Sequence, residues 1–285
     1  MLPHVWDSII QHAPDVKTLL TIRAVSRDLG KAVDRALLTH LAITGCPRTF
    51  TAPSVSCYYP AVARSISRGY ILAPWRNSFV RIRLPFPNTR RAKEIRDRCS
   101  CLDIRGRIPP YELDDLAYLM QPKTLRLLIL TTTGPPSCPF VYPDLSPLGI
   151  IHPHTAIISR LTVIPSLSSS RHLRRTTTLP DCTRRLVLHQ GPWHFQQLLP
   201  HGTSLRELVL VFIVTPSPTT MVEYLSELAP ELYNVTITVV GFEDSPTVGT
   251  IKLAADLDHQ YLVFRTRAEH RSALGKAQWE TEMEL

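Results

Sequence analysis

Two cysteines one residue apart, Cys99 and Cys101, are the densest grouping of reactive side chains in the sequence. On a strand that spacing turns both thiols to one face. A metal site needs a second Cys or His pair at ligand spacing, and none stands nearby, so the two are read as buried structural thiols. His152 and His154, on either side of Pro153, are read as solvated loop residues for the same reason. H-E-x-x-H, G-x-S-x-G, C-x-x-C and the glycine-rich phosphate loops are all absent from the sequence. No residue is therefore assigned a catalytic, cofactor-binding or metal-binding role. The chain is read as non-enzymatic and without a cofactor, with an α/β enzyme whose site escapes motif reading as an alternative.

Arginines form the other conspicuous groupings. Residues 89–98 (TRRAKEIRDR) carry net +3, and residues 171–185 (RHLRRTTTLPDCTRR) carry net +4. Clustered arginines can neutralise phosphates. Aromatic residues do not alternate with them as a single-strand stacking platform requires, so both runs are read as solvated basic flanks able to steer an acidic protein. A basic nucleic-acid-binding protein is kept as an alternative reading.

The elements that must position these groups belong to a folded chain. The 285 residues are 44% hydrophobic and 20% charged, enough to bury a sizeable core. The longest unbroken apolar run, LVLVFIV at 208–214, is far short of the ~20 residues that a spanning helix needs. The net charge is +8, distributed unevenly: Glu207 to Thr250 holds six acids and no Lys or Arg, so this −6 window leaves +14 for the remainder. Proline is abundant, at 25 residues against 11 glycines, and predicts stiff connections. Six irregularly spaced cysteines (46, 57, 99, 101, 138, 182) and a first segment with Trp6 and Asp7 in place of an apolar leader predict free thiols in the cytoplasm or nucleus.

Residues 1–43 read as three short helices. Pro3 suits an early helical position; Val5, Trp6, Ile9 and Ile10 follow at helical spacing up to Pro14. Asp15 can cap a second helix with Val16, Leu19, Leu20, Ile22 and Val25, and Leu29, Val33, Ala36, Leu37 and Leu41 supply a third stripe. Leu2-Pro3, Ile9-Ile10, Val16, Leu19, Leu20 and the phrase Val25-Ser26-Arg27 resemble the F-box, with Leu29 where that family usually has Trp. The resemblance implies docking to the adaptor subunit of a cullin-RING (SCF) ubiquitin ligase, with Leu2, Pro3, Val5, Ile9, Ile10, Leu19, Leu20 and Val25 as contacts.

After a connecting segment at 44–79, short apolar phrases recur: LDI at 102–104, LIL at 128–130, LTV at 161–163, LVL at 186–188, LVL at 208–210, VTI at 235–237 and YLV at 261–263, with an earlier copy, IRL, at 82–84. Helix-patterned stretches stand between them, ELDDLAYLM at 112–120 and TTMVEYLSELA at 219–229. Four copies extend to LxxLxL, beginning at Leu125, Ile158, Leu205 and Leu232, which resembles the strand half of a leucine-rich repeat. The expected fold is α/β: a three-helix F-box-like module followed, over 80–266, by an irregular βα solenoid, with a polar helix or tail at 267–285. A doubly wound α/β sheet is the alternative. In the solenoid, Leu128, Leu130, Leu161, Val163, Leu186, Leu188, Leu208 and Leu210 point inward and the intervening residues face a concave surface. By resemblance the chain is a substrate receptor whose client is unknown, with no membrane partner. A solenoid scaffold without a ligase role is the remaining alternative.

Overall fold

The computed structural model describes residues 3–44, 70–75, 78–83, 90–105, 117, 120–128, 146–159, 179–189, 204–212, 217–228, 232, 234–242, 248, 251 and 261–283. The chain is α/β and divides into two compact units, Met1–Leu125 and Arg126–Leu285. The division falls within one strand.

The first unit opens with three helices, α1 (Pro3–Gln11), α2 (Val16–Val25) and α3 (Arg27–Thr39). Their boundaries are set by side chains. Asp15 accepts from Thr18 N at 2.7 Å to start α2, and Ser26 both ends α2 and starts α3 by accepting from Leu29 N. The Asp15 carboxyl is held below its ordinary pKa, foremost by the backbone N–H of Thr18. Ile10 from α1, Ala13 just after it, Leu19 from α2, and Leu29, Val33 and Leu37 from α3 are buried. A Cβ at Gly30 would lie 3.1 Å from Arg23 O, so the glycine admits α2 close to α3, where Arg23 also pairs with Asp34 at 2.9 Å.

The third helix stops earlier than its apolar stripe implies. His40–Thr44 is a strand, β1, and Leu41 belongs to it. It runs parallel to β4 (Cys101–Arg105) and antiparallel to β2 (Tyr70–Trp75), which turns back into β3 (Ser78–Arg83). Two expectations are corrected here. The connecting segment 44–79 contains strands, and the IRL phrase at 82–84 belongs to an antiparallel hairpin instead of the parallel series. Period-2 alternation cannot tell an antiparallel strand from a parallel one. Helix α4 (Arg90–Arg98) precedes β4, burying Ile95 while Lys93 and Asp97 stay in solvent. Arg98 pairs with Glu94, and the side chains of residues 89–92 lie outside those described.

Strand β5 (Thr124–Leu128) straddles the division. The second unit then carries α5 (Ser146–Ile151), β6 (Thr155–Ser159), β7 (Arg185–His189), β8 (Glu207–Val211), α6 (Pro218–Leu228), β9 (Thr236–Val240), β10 (Leu262–Arg265), α7 (Arg267–Leu274) and α8 (Lys276–Met283). Strands β6 to β10 lie side by side in sequence order, every neighbouring pair parallel. A doubly wound sheet reverses its order at a switch point; these five strands do not. One backbone rung repeats between them: Arg184 N donates to His154 O, Arg206 N to Arg184 O and Thr236 N to Arg206 O.

The phrases at 186–188 and 208–210 lie within their strands, and Leu186, Leu188, Leu208 and Leu210 are buried. Others are displaced. Ile237, not Val235, is level with Leu208, a two-residue slip that keeps the same face because strand side chains alternate with period two. Strand β6 ends at Ser159, so Ala156 and Ile158 take the inward places expected of Leu161 and Val163, which lie outside the described residues. In β5, Leu125 and Leu127 are buried; the side chain of Leu128, Leu130 and most of the helix expected at 112–120 are outside the described residues.

At the ends of β8, β9 and β10, Phe212, Phe242 and Phe264 pack edge to face, with ring centroids 5.9 and 5.7 Å apart. Gly241 makes this possible: its φ is +107°, and a Cβ there would sit 2.5 Å from Phe212 O. Gly241→Ala should therefore lower stability by about 1–3 kcal/mol, read as a lower urea midpoint. Gly275→Ala, at φ +75° with no atom within 4 Å of the new Cβ, should cost less.

Candidate docking surfaces

Of the eight residues named for an adaptor contact, four are on the outside. Val5 is 44% exposed, Ile9 42%, Leu20 39% and Val25 68%, and these are the large apolar side chains left exposed among the described residues. Val5 and Ile9 stand four residues apart, on one side of α1. Ile10 and Leu19 are buried and serve the helical core instead. Period alone could not separate the two sets, because α1 is apolar on more than one side. Pro3 begins α1, and Leu2 lies outside the described residues. Leu29, the departure from the F-box pattern, is buried in α3 and leaves the exposed set unaltered. Fully burying an aliphatic side chain contributes roughly 1.5–3 kcal/mol, and these four, still partly in water, forgo a share of it.

The second unit presents a different surface. Opposite the Leu186/Leu208 face, strand pairing aligns Ile157, Val187, Val209 and Thr238, with Val211 level with Val240. This is the face expected to be open. It is buried: Ile157, Val187, Val209, Val211 and Val240 form one cluster, and Met283 of α8 packs against it. Thr266 and Glu269 form a capping box that starts α7, Gly275 ends it, and α8 follows at once. The carboxylate of Glu282 receives two bonds from the Arg185 guanidinium, at 2.9 and 2.8 Å, and a third from Gln278 at 2.8 Å. Arg185 also pairs with Glu207. His189 Nε2 donates to the Glu282 carbonyl, and Arg267 donates to Phe212 O at 2.9 Å.

Two sequence readings are sharpened as a result. Of the stretch read as a polar helix or tail, Arg267–Leu274 and Lys276–Met283 are helices, and α8 covers a sheet face. Arg185, read as part of a solvated basic flank, is an internal ion-pair partner, whereas Arg184 is exposed and donates to Ser204 O. The signal for the first was available in retrospect: Met283 and Trp279 are apolar positions four apart in an otherwise polar segment. Elsewhere, His152 and His154 are exposed as expected. Cys99 and Cys101 are buried, and Cys99, Cys101 and Cys182 are free thiols; the remaining cysteines lie outside the described residues. Burial pushes the Cys99 thiol up to about 12, with the Asp103 charge adding to it. No helix of the described residues is long and apolar enough to cross a membrane.

Comparison of the chain with family models, with curated proteins and with solved structures finds no match in any of the three.

Breaking one partner of a buried ion pair exposes the other to an uncompensated low-dielectric site. Glu282→Gln should cost about 3 kcal/mol, the lower end for such a loss because Arg185 keeps Glu207. Hydrogen exchange should show α7 and α8 losing protection while β8 and β9 keep theirs.

His189 and His270 add a dependence on pH. Burial lowers both from 6.5 to about 4, aided at His189 by the charge of Arg126 and at His270 by those of Arg185 and Arg265. Between those values the unfolded chain binds protons that the folded chain refuses, so the stability due to neutral imidazoles is full above pH 6.5 and is lost as pH falls to about 4. Urea midpoints measured across that window should fall, and His270→Phe, an apolar ring against Trp279, should flatten the slope.

Proposed function

We propose that the chain is a non-enzymatic interaction protein in which α1–α3 act as an F-box-like module and dock the adaptor subunit of an SCF-type ubiquitin ligase. The second unit is read as an irregular leucine-rich-repeat-like solenoid that holds a client protein. One observation carries the first part: the exposed large apolar side chains of the described residues fall at four of the eight positions that the sequence resemblance nominates. Sequential parallel strands at a spacing of 22 to 31 residues support the second. The mechanism is tethering. A client held on the same chain as the adaptor meets the ligase at a high effective concentration, and no side chain of this protein takes part in the chemistry.

The internal position of Arg185 removes one cation from the basic run at 171–185 on which the nucleic-acid reading rests. The test is recovery of the purified adaptor subunit. Wild-type protein should retain it, and Val5→Lys with Ile9→Lys should abolish retention while thermal melting stays within a few degrees, since exposed substitutions change stability by less than about 0.5 kcal/mol. Failure of the wild type to retain the adaptor would refute the ligase reading.

A further inference from the structure

In the first unit, three side chains from two neighbouring strands converge on one point. His40 and Cys101 are Cα partners across the parallel pair β1 and β4. Asp103 stands two residues beyond Cys101 and so on the same face of the sheet. His40 Nε2 lies 2.8 Å from Asp103 Oδ1, Cys101 Sγ lies 4.0 Å from the same oxygen, and the three ligand atoms all fall within 4.8 Å of one another. We propose that His40, Cys101 and Asp103 form a zinc site that staples the end of α3 to β4. This inference does not depend on the proposed ligase role.

Donor chemistry selects the metal. Thiolate, imidazole and carboxylate together suit Zn²⁺, whereas Mg²⁺ and Ca²⁺ take oxygen ligands. Bonds of about 2.3 Å to sulfur and 2.0–2.2 Å to nitrogen and oxygen place tetrahedral ligands roughly 3.3–3.7 Å apart. The observed trio reaches that spacing if the His40–Asp103 contact opens by about half an ångström and the thiol closes by about a third of an ångström on Asp103 and by up to about 1 Å on His40, movements that side-chain rotation can supply. Charge also balances. Cys101 and Asp103 are buried, and a divalent ion with one thiolate, one carboxylate and a neutral imidazole has no net charge to desolvate. On binding, the Cys101 thiol releases its proton to solvent.

The surroundings are arranged for the task. The side chain of His40 is 34% exposed, which leaves an approach for the ion and a fourth position for water. Thr39 and Ser100, the residues just before His40 and Cys101, are joined twice, with Ser100 N and Ser100 Oγ donating to Thr39 O at 2.9 and 3.0 Å. The Cys99 thiol donates to Cys101 O at 3.5 Å. These bonds fix the relative position of two ligands before any ion arrives. Sequence reading found only the Cys pair, because His40 is 61 residues away and joins it through strand pairing. Asp103, a carboxylate in the middle of an otherwise apolar strand phrase, was the visible signal.

The test uses the full chain, stripped with chelator and reloaded with Zn²⁺ or Co²⁺. Wild-type protein should retain one zinc per chain against a chromogenic competitor, melt at a higher temperature with the ion than without, and show a thiolate-to-cobalt charge-transfer band with Co²⁺. His40→Ala should lose the retained zinc; because it also takes the 2.8 Å partner from the buried Asp103 carboxylate it should lower the melting temperature of the stripped protein, and adding the ion should then raise that temperature no further. Cys101→Ser should lose the cobalt band and Cys99→Ser should keep it. A wild-type chain that holds no zinc against the competitor overturns the proposal. Retention unchanged in His40→Ala, or a cobalt band that survives Cys101→Ser and vanishes in Cys99→Ser, overturns it equally.

Discussion

A parallel strand has two faces to bury, and the second unit is organised around that requirement. In β7, β8 and β9 four consecutive residues are buried in each strand, so neither face meets water. The Leu186/Leu208 face carries the repeat-like apolar signal. The opposite face needs a separate cover, and the chain supplies it from α8, through Met283 over the valines and Glu282 on Arg185. The ion pair is what aligns this cover: a bidentate guanidinium–carboxylate contact fixes both distance and direction, where the methionine alone could slide.

The parallel series was legible because Leu186-Val187-Leu188 and Leu208-Val209-Leu210 are short apolar runs bounded by polar residues, as fully buried strands are. What failed was register. Leu232-x-x-Val235-x-Ile237 matches the repeat phrase as text, yet Ile237 pairs with Leu208, because strand period two tolerates a slip of two residues without changing faces. The hairpin of β2 and β3 was missed for a related reason: direction is set by the partner, and no residue within Phe79–Arg83 encodes the partner. The role of α8 was missed because its polar composition hides the apolar contact of Met283 with the valines.

The candidate docking residues were half legible. Helical spacing identified Val5, Ile9, Leu20 and Val25 together with Ile10 and Leu19, and only the positions of α2 and α3 sort the exposed from the buried. Long-range convergence left less trace. His40 reads locally as the residue after a helix, and its neighbours in space, Cys101 and Asp103, are a strand pairing away. Asp103 broke an apolar phrase, and a residue out of keeping with its segment there marks an internal contact; Arg185 gave no such sign, being one arginine among the five of residues 171–185.

The position of α8 in the chain carries a consequence for synthesis. Strands β6 to β10 leave the ribosome before the helix that covers them, so any pairing among them that precedes α8 leaves Ile157, Val187, Val209 and Val240 without the cover that Met283 gives. Arg185 waits equally long for Glu282. An open apolar sheet face of that kind is a natural substrate for chaperones and a point from which aggregation can begin.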